Sequence, residues 1–190
     1  MLDTPLPPET PARQRILLTA HRLFYREGIR ATGIDRVIAE SGVSKVTFYR
    51  HFPSKNDLIL AFLALRHERW MSWFTAALAR HGAVSVGLAA LGPTLAEWFS
   101  SESFRGCAFI NAVGELGLAL PAVVDSSRQH KQAMTEVIAS LLPPSEQRSA
   151  DAEAIALAVD GAIVRAQAAA DPATALAALG RLLVQFQQVA

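Results

Sequence analysis

Between Pro11 and Gly28 the apolar residues Ile16, Ala20, Leu23 and Phe24 fall at i, i+4, i+7 and i+8. That is the spacing of one face of an amphipathic helix. The same period returns in segment after segment, and the period-two alternation of strands is hard to find. A chain patterned in this way has to pack helix on helix. The expected fold class is all-α, with about nine helices.

Stop and start signals divide the pattern. Gly28 is a plausible C-cap for the first helix. Thr32, with Asp35 three residues on, predicts a capping box for a second helix in "GIDRVIAES", whose core face is Ile34, Val37 and Ile38 and whose stop is Gly42. Ser44 predicts the cap of a third helix, which "HFPSK" closes. Pro53 cannot continue it, and Ser54 caps a fourth that runs to about Gly82. "VGLAALGPTLAEWFSS" predicts a fifth, kinked or broken at Gly92-Pro93. "RGCAFINAVGELGLAL" predicts a sixth, and "PAVVDSSRQHKQAMTEVIASLL" a seventh. "SADAEAIALAVDGAIVRAQAAA" and "PATALAALGRLLVQFQQ" are the last two, split at Asp171-Pro172. No repeat of 20–50 residues emerges.

The 190 residues suffice for one sizeable core or for a small domain beside a larger one. A content of 51% hydrophobic and 18% charged residues excludes a disordered chain. No apolar run of about 18 residues predicts a membrane span. The stretch "MLDTPLPPETPARQR" lacks the apolar region of a signal peptide and reads as a Pro-rich lead-in over residues 1–10. A single cysteine, Cys107, fits a reducing cytoplasm.

Charge is unevenly spread. Residues 11–55 carry nine Lys/Arg against three acids, whereas residues 58–190 carry nine against eleven. A basic end on a near-neutral body suggests a polyanion for that end. The expected division is therefore a lead-in at 1–10, a small basic domain at 11–55 and a larger apolar domain at 56–190.

On a wheel of the third helix, Phe48 and Phe52 share one side and pack on the first two helices. Val46 and Arg50 fall opposite, with Thr47 and Tyr49 on the flanks. A helix, a tight turn at Gly42 and a second helix with an exposed polar face make a helix-turn-helix, whose second helix can enter the major groove. Thr47 and Arg50 can read base edges, and Val46 can touch a thymine methyl. Tyr49, His51, Lys55 and the start of the second helix near Thr32 are suited to phosphate contacts, and Lys45 and Gly33 complete the candidate DNA-binding set.

"ATGIDRVIAESGVSKVTFYRHFPSKNDLI" resembles the N-terminal signature of the TetR family of bacterial transcriptional regulators. The elements in register are Thr32, Ile38-Ala39, Gly42, Thr47-Phe48-Tyr49, His51-Phe52 and Ser54-Lys55. Val46 stands where the family often has glycine, and Gly33 where a polar or β-branched residue is common. The resemblance implies an all-helical homodimer of about nine helices per chain. It implies an N-terminal helix-turn-helix on operator DNA and a C-terminal domain for ligand binding and dimerisation. It also implies no cofactor, and repression relieved by a small molecule.

For the body, the last two helices offer Ile155, Val159, Ile163, Leu179, Leu183 and Phe186, which the resemblance makes a dimer face, the alternative being an ordinary monomer core. Asp160 and Arg165 stand in that seam. An effector cavity needs apolar walls with a few polar groups. Trp70, Phe74 and Trp98 are candidate walls, and Cys107, Asn111 and Glu115 are candidates from the sixth helix, for a small and largely apolar effector. "FRGCAFINAVGELG" also resembles the sixth-helix region of TetR-type repressors that sense electrophiles through a cysteine. The default for Cys107 is a buried small hydrophobe, since no second cysteine is at hand to resolve an oxidised form.

Catalysis finds no support. The five histidines are scattered, no metal-ligand spacing occurs, and there is no phosphate loop or nucleophile elbow. A helical interaction domain without DNA binding is the other alternative, and the basic recognition segment argues against it.

Overall fold

The structure is a computed structural model that describes residues 10–169 and 171–187. Among these, nine helices of seven residues or more succeed one another, and no strand occurs. They are α1 (Ala12–Glu27), α2 (Ile34–Ser41), α3 (Lys45–His51), α4 (Lys55–Arg80), α5 (Leu91–Phe99), α6 (Ala108–Leu116), α7 (Pro121–Ser140), α8 (Arg148–Ala168) and α9 (Ala173–Gln187). A single turn (Ala83–Val86) and a 3-10 segment (Gly87–Ala90) lead into α5.

The chain packs as two units. One comprises the residues up to Glu68 with Ala108–Ser127, and the other Arg69–Cys107 with the chain from Arg128 onward. Besides residues 11–55, the first unit takes in half of α4, all of α6 and the first turns of α7.

In the first unit Ile16, Leu23, Phe24, Val37, Phe48 and Phe52 are buried, and α4 adds Leu58, Ile59, Phe62 and Leu63. Phe62 meets the rings of Phe24 at 5.5 Å and His21 at 5.6 Å, both edge to face. Side chains of this size contribute roughly 1.5–3 kcal/mol each when fully buried. That is the base on which the short helices α2 and α3 can stand, since neither would be stable alone.

Local signals set the boundaries. Gly42 ends α2 in the left-handed conformation, at φ 64° and ψ 33°, which other residues adopt only at a cost. Ser44 caps α3, accepting from the Thr47 amide at 3.1 Å. Ser54 caps α4, accepting from the Asp57 amide at 3.2 Å, while its hydroxyl donates to the Asp57 carboxylate at 2.7 Å.

The expected capping box at Thr32 does not form. Gly33 occupies the N-cap of α2 without a side-chain bond, and the buried Thr32 hydroxyl donates to the Gly28 carbonyl at 2.8 Å. Likewise Pro93 neither kinks nor breaks α5. It lies in the first turn, where its missing N–H has no partner to lose, and the break falls earlier, at the turn and 3-10 segment. Helix α6 stops at Leu116, four residues before the expected end.

In the second unit α9 packs on α8, and both pack on α5. Ala152, Ile155, Ala156, Val159, Ala162, Ile163 and Ala166 form the inward face of α8. Ala154, Leu157, Gly161, Val164 and Ala168 recur at spacings of three and four on its outward face. Leu157 is 75% exposed there. Helix α8 is therefore apolar on two opposite sides. Lys131 of α7 forms an ion pair with Asp160.

Candidate nucleic-acid interface

Helix α3 stands with Phe48 wholly buried and Phe52 nearly so, and turns its other side to solvent. Val46 is 71% exposed, and Lys45, Tyr49 and Arg50 are exposed beside it. The Tyr49 ring rests edge-on against Phe48 at 5.2 Å, which fixes its direction. Thr47 and His51 are half-buried. The Thr47 hydroxyl lies 2.9 Å from that of Ser44, so it takes part in the cap as well as in the outer face. Lys45 is 3.5 Å from Asp35 of α2, a contact between two well-exposed groups and hence a weak one. Gly33 is exposed at the start of α2, and a methyl added there would meet no atom.

Two residues expected on this surface are turned away from it. Thr32 is fully buried, for the reason given above. Lys55 points inward and donates to the Ile29 carbonyl at 2.6 Å, its ammonium 5.9 Å from the centre of the Phe24 ring. Burial pushes the Lys55 ammonium below its ordinary range, and the charge of Glu115 opposes that shift.

Glu115 was expected to line a ligand cavity, and its carboxylate is otherwise engaged. It accepts from the backbone amides of Ile29, at 3.2 Å, and Arg30, at 2.7 Å. A Cβ on Gly28 would come within 3.4 Å of both its oxygens, and Gly28 has a φ of 96°. Helix α6 thus grips the loop between α1 and α2 through a carboxylate on two successive amides. Spacing within α6 gives no sign of this, because the partners lie 85 and 86 residues away.

Around the rim, Arg36 bonds Glu27 through two nitrogens and Glu40 at 2.8 Å, while Arg22 bonds Glu40 from α1. This chain of ions ties α2 to α1. Hydrogen bonds to Glu27 and then Glu40 raise the Arg36 pKa further. Those from Arg22 and then Arg36 hold the Glu40 carboxyl below its ordinary value.

The remaining cavity candidates divide between the units. Asn111, like Glu115, belongs to the first unit and is half-buried. Trp70, Phe74, Trp98 and Cys107 belong to the second. Trp70 stacks on Phe74 at 4.7 Å and meets Trp98 edge to face at 5.5 Å. Cys107 is buried just before α6, and the Arg105 guanidinium donates to the carbonyls of Glu102 and Phe104. The proposed dimer residues Ile155, Val159, Ile163, Leu179 and Leu183 are buried within the protomer, and Phe186 is half-buried. The first five are core, and the exposed large apolar residues of this helix pair are others: Leu157, Val164, Leu182 and Val184.

The fold and sequence together are similar to a TetR-family transcriptional regulator from Streptomyces coelicolor. The two are 34% identical over 92% of this chain and 89% of that one, with a TM-score of 0.81. This chain belongs to the TetR family. The family profile "Bacterial regulatory proteins, tetR family" matches residues 16–62, which hold α1 to α3 and the start of α4. Members of the TetR family are transcription factors and not enzymes. The HTH-type transcriptional regulator YerO of Bacillus subtilis is 45% identical over 49 residues, 26% of this chain. That stretch spans only 17% of YerO itself. The multidrug binding protein EbrR, solved in complex with malachite green, shares the fold at 22% identity and a TM-score of 0.67, over 93% of this chain and 98% of its own. Among the described residues of this TetR-family chain, no single helix is long and apolar enough to cross a membrane.

Proposed function

We propose that this chain is a ligand-responsive transcriptional regulator that binds a pseudo-palindromic operator as a homodimer in the cytoplasm and is released from it by a small, largely apolar molecule. The observation that carries the reading is α3 itself. A seven-residue helix is held by a buried Phe48 and presents Lys45, Val46, Tyr49 and Arg50 to solvent. None of the four is buried: Tyr49 rests edge-on against Phe48 and Lys45 makes a weak pair with Asp35. Arg50 suits a bidentate contact to guanine, Val46 a thymine methyl, and Lys45 and Tyr49 the flanking phosphates. Gly33 leaves room for the DNA backbone to approach the first amides of α2.

Dimerisation belongs to the outward seam of α8, Ala154, Leu157, Gly161, Val164 and Ala168, joined by Leu182 of α9. A spacing of three and four with small residues between larger ones lets two copies approach closely as a four-helix bundle. The two-fold axis then pairs the recognition helices on two half-sites about one helical turn apart. A gel shift on the DNA upstream of the protein's own gene, with the half-sites scrambled in turn, tests the reading. Equal binding to intact and scrambled DNA would refute it.

A further inference from the structure

Two polar groups in the second unit are buried without a hydrogen-bond partner. They are the Trp70 indole N–H and the Thr94 hydroxyl. Trp70 is 6% exposed and Thr94 not at all. Buried polar groups are nearly always bonded, so each exception calls for an explanation. The contrast within the unit is sharp, for the Trp73 indole donates to Glu97 at 3.3 Å.

The two groups lie in one neighbourhood. Thr94 and Trp98 are one turn apart on the buried face of α5, and Trp98 is set edge-on against Trp70. Trp70 also meets the ring of the buried His130 at 5.1 Å, and Trp98 meets Phe104 at 5.2 Å. The surroundings are therefore aromatic, and the unpaired functions are one N–H donor and one hydroxyl.

Resting on the reading that the second unit takes an effector, we infer that this site recognises a neutral, largely apolar molecule bearing a carbonyl-type hydrogen-bond acceptor. The acceptor takes the Trp70 N–H and engages the Thr94 hydroxyl. Two observations favour neutrality. Among the described residues no Asp, Glu, Lys or Arg is buried, and in the second unit His130, against Trp70, is the one buried side chain able to carry a positive charge, so a ligand with a full charge finds little to offset it. The ring faces do not form an open cage for a cation either, since Trp70 is stacked on Phe74. What the walls leave unsatisfied is hydrogen bonding, and a carbonyl oxygen, with two lone pairs, supplies what both groups lack.

The test uses 9-fluorenone and fluorene, which differ by a carbonyl in place of a methylene, in equilibrium dialysis against the full chain. Wild type is expected to prefer the ketone at least tenfold. Trp70→Phe and Thr94→Val should each lower that preference at least threefold, and the double variant should abolish it. Thr94→Val, nearly isosteric, should leave the ligand-free melting temperature unchanged or raise it, whereas Trp70→Phe also removes ring volume from the core and lowers it. Equal binding of the two compounds by wild type, binding of neither, or a preference that survives the double variant overturns the inference. So does a loss of more than about 5 °C in ligand-free melting in Thr94→Val, since that would show its hydroxyl already satisfied. The same preparations are run in the operator gel shift. Failure there removes the regulator reading, while the ketone preference still decides the site.

Discussion

Replacing Glu115 with alanine removes an acceptor from two backbone donors at once. The Ile29 amide sits in a part-buried position, with the Ile29 side chain almost fully buried. Left without a partner, such a donor costs about 1–3 kcal/mol. The Arg30 amide belongs to an exposed residue and can turn to water, so its loss costs at most about 1 kcal/mol. Lys55, already held below its ordinary pKa by burial, also loses its compensating charge. The expected loss is about 2–3 kcal/mol, or roughly 1 M in the urea midpoint at a slope near 2 kcal/mol/M. Glu115→Gln keeps one acceptor oxygen and should lose about half as much. Amide exchange measured by NMR should report faster exchange at Ile29 and Arg30, with the α3 amides less affected. An alanine variant within about 0.2 M of wild type, with the Ile29 amide still protected, would refute the account of α6 as a clasp on this loop.

Leu157→Glu should yield a folded monomer by light scattering, because Leu157 faces outward, whereas Leu183→Glu should unfold the chain by burying a charge; a dimeric Leu157→Glu protein would count against the seam. Arg50→Ala should relax base preference at one operator position, at about 1–3 kcal/mol, while Lys45→Ala should weaken all sequences alike and lower the salt slope by about one. Fluorescence anisotropy on specific and random duplexes separates the two, and equal effects would erase that division. For pH, Glu40 is held below its ordinary value of 4.5 by Arg22 and then Arg36. The unfolded chain takes up that proton first as pH falls past about 4.5, so the stability Glu40 contributes above that point is lost below it. Glu40→Gln should therefore narrow the gap between urea midpoints at pH 6 and pH 3.5, and an unchanged gap would exclude this contribution.

The helical class, the element order and the face of α3 were legible because each rests on neighbours within a turn or two. Gly42, Ser44 and Ser54 act through residues three positions away, which periodicity and caps report. Lys55 and Glu115 escaped for the opposite reason. Their partners are the carbonyl of Ile29 and the amides of Ile29 and Arg30, and no local pattern records which backbone groups a loop leaves unpaired. The residues expected at a dimer face of α8 are buried within the protomer, because the helix is apolar on both sides. Its larger residues, Ile155, Val159 and Ile163, drew attention to the side that fills the core, and the seam that stays outside is built of smaller ones. Thr94 gave no signal at all, since a threonine in an apolar helix ordinarily bonds a carbonyl one turn back.

The ion chain from Glu27 through Arg36 and Glu40 to Arg22 also changes how this regulator finds its target. Of the nine cations that make its N-terminal segment basic, Arg22 and Arg36 are neutralised by neighbours and Lys55 is turned inward. Fewer phosphates are therefore neutralised on random duplex, and fewer counterions are released. A genome offers millions of such decoy sites, and affinity for them sets how much of the protein is sequestered. On the proposed reading, then, three of the cations that make this segment basic are spent on its own packing, and its grip on random duplex is weaker than its charge suggests.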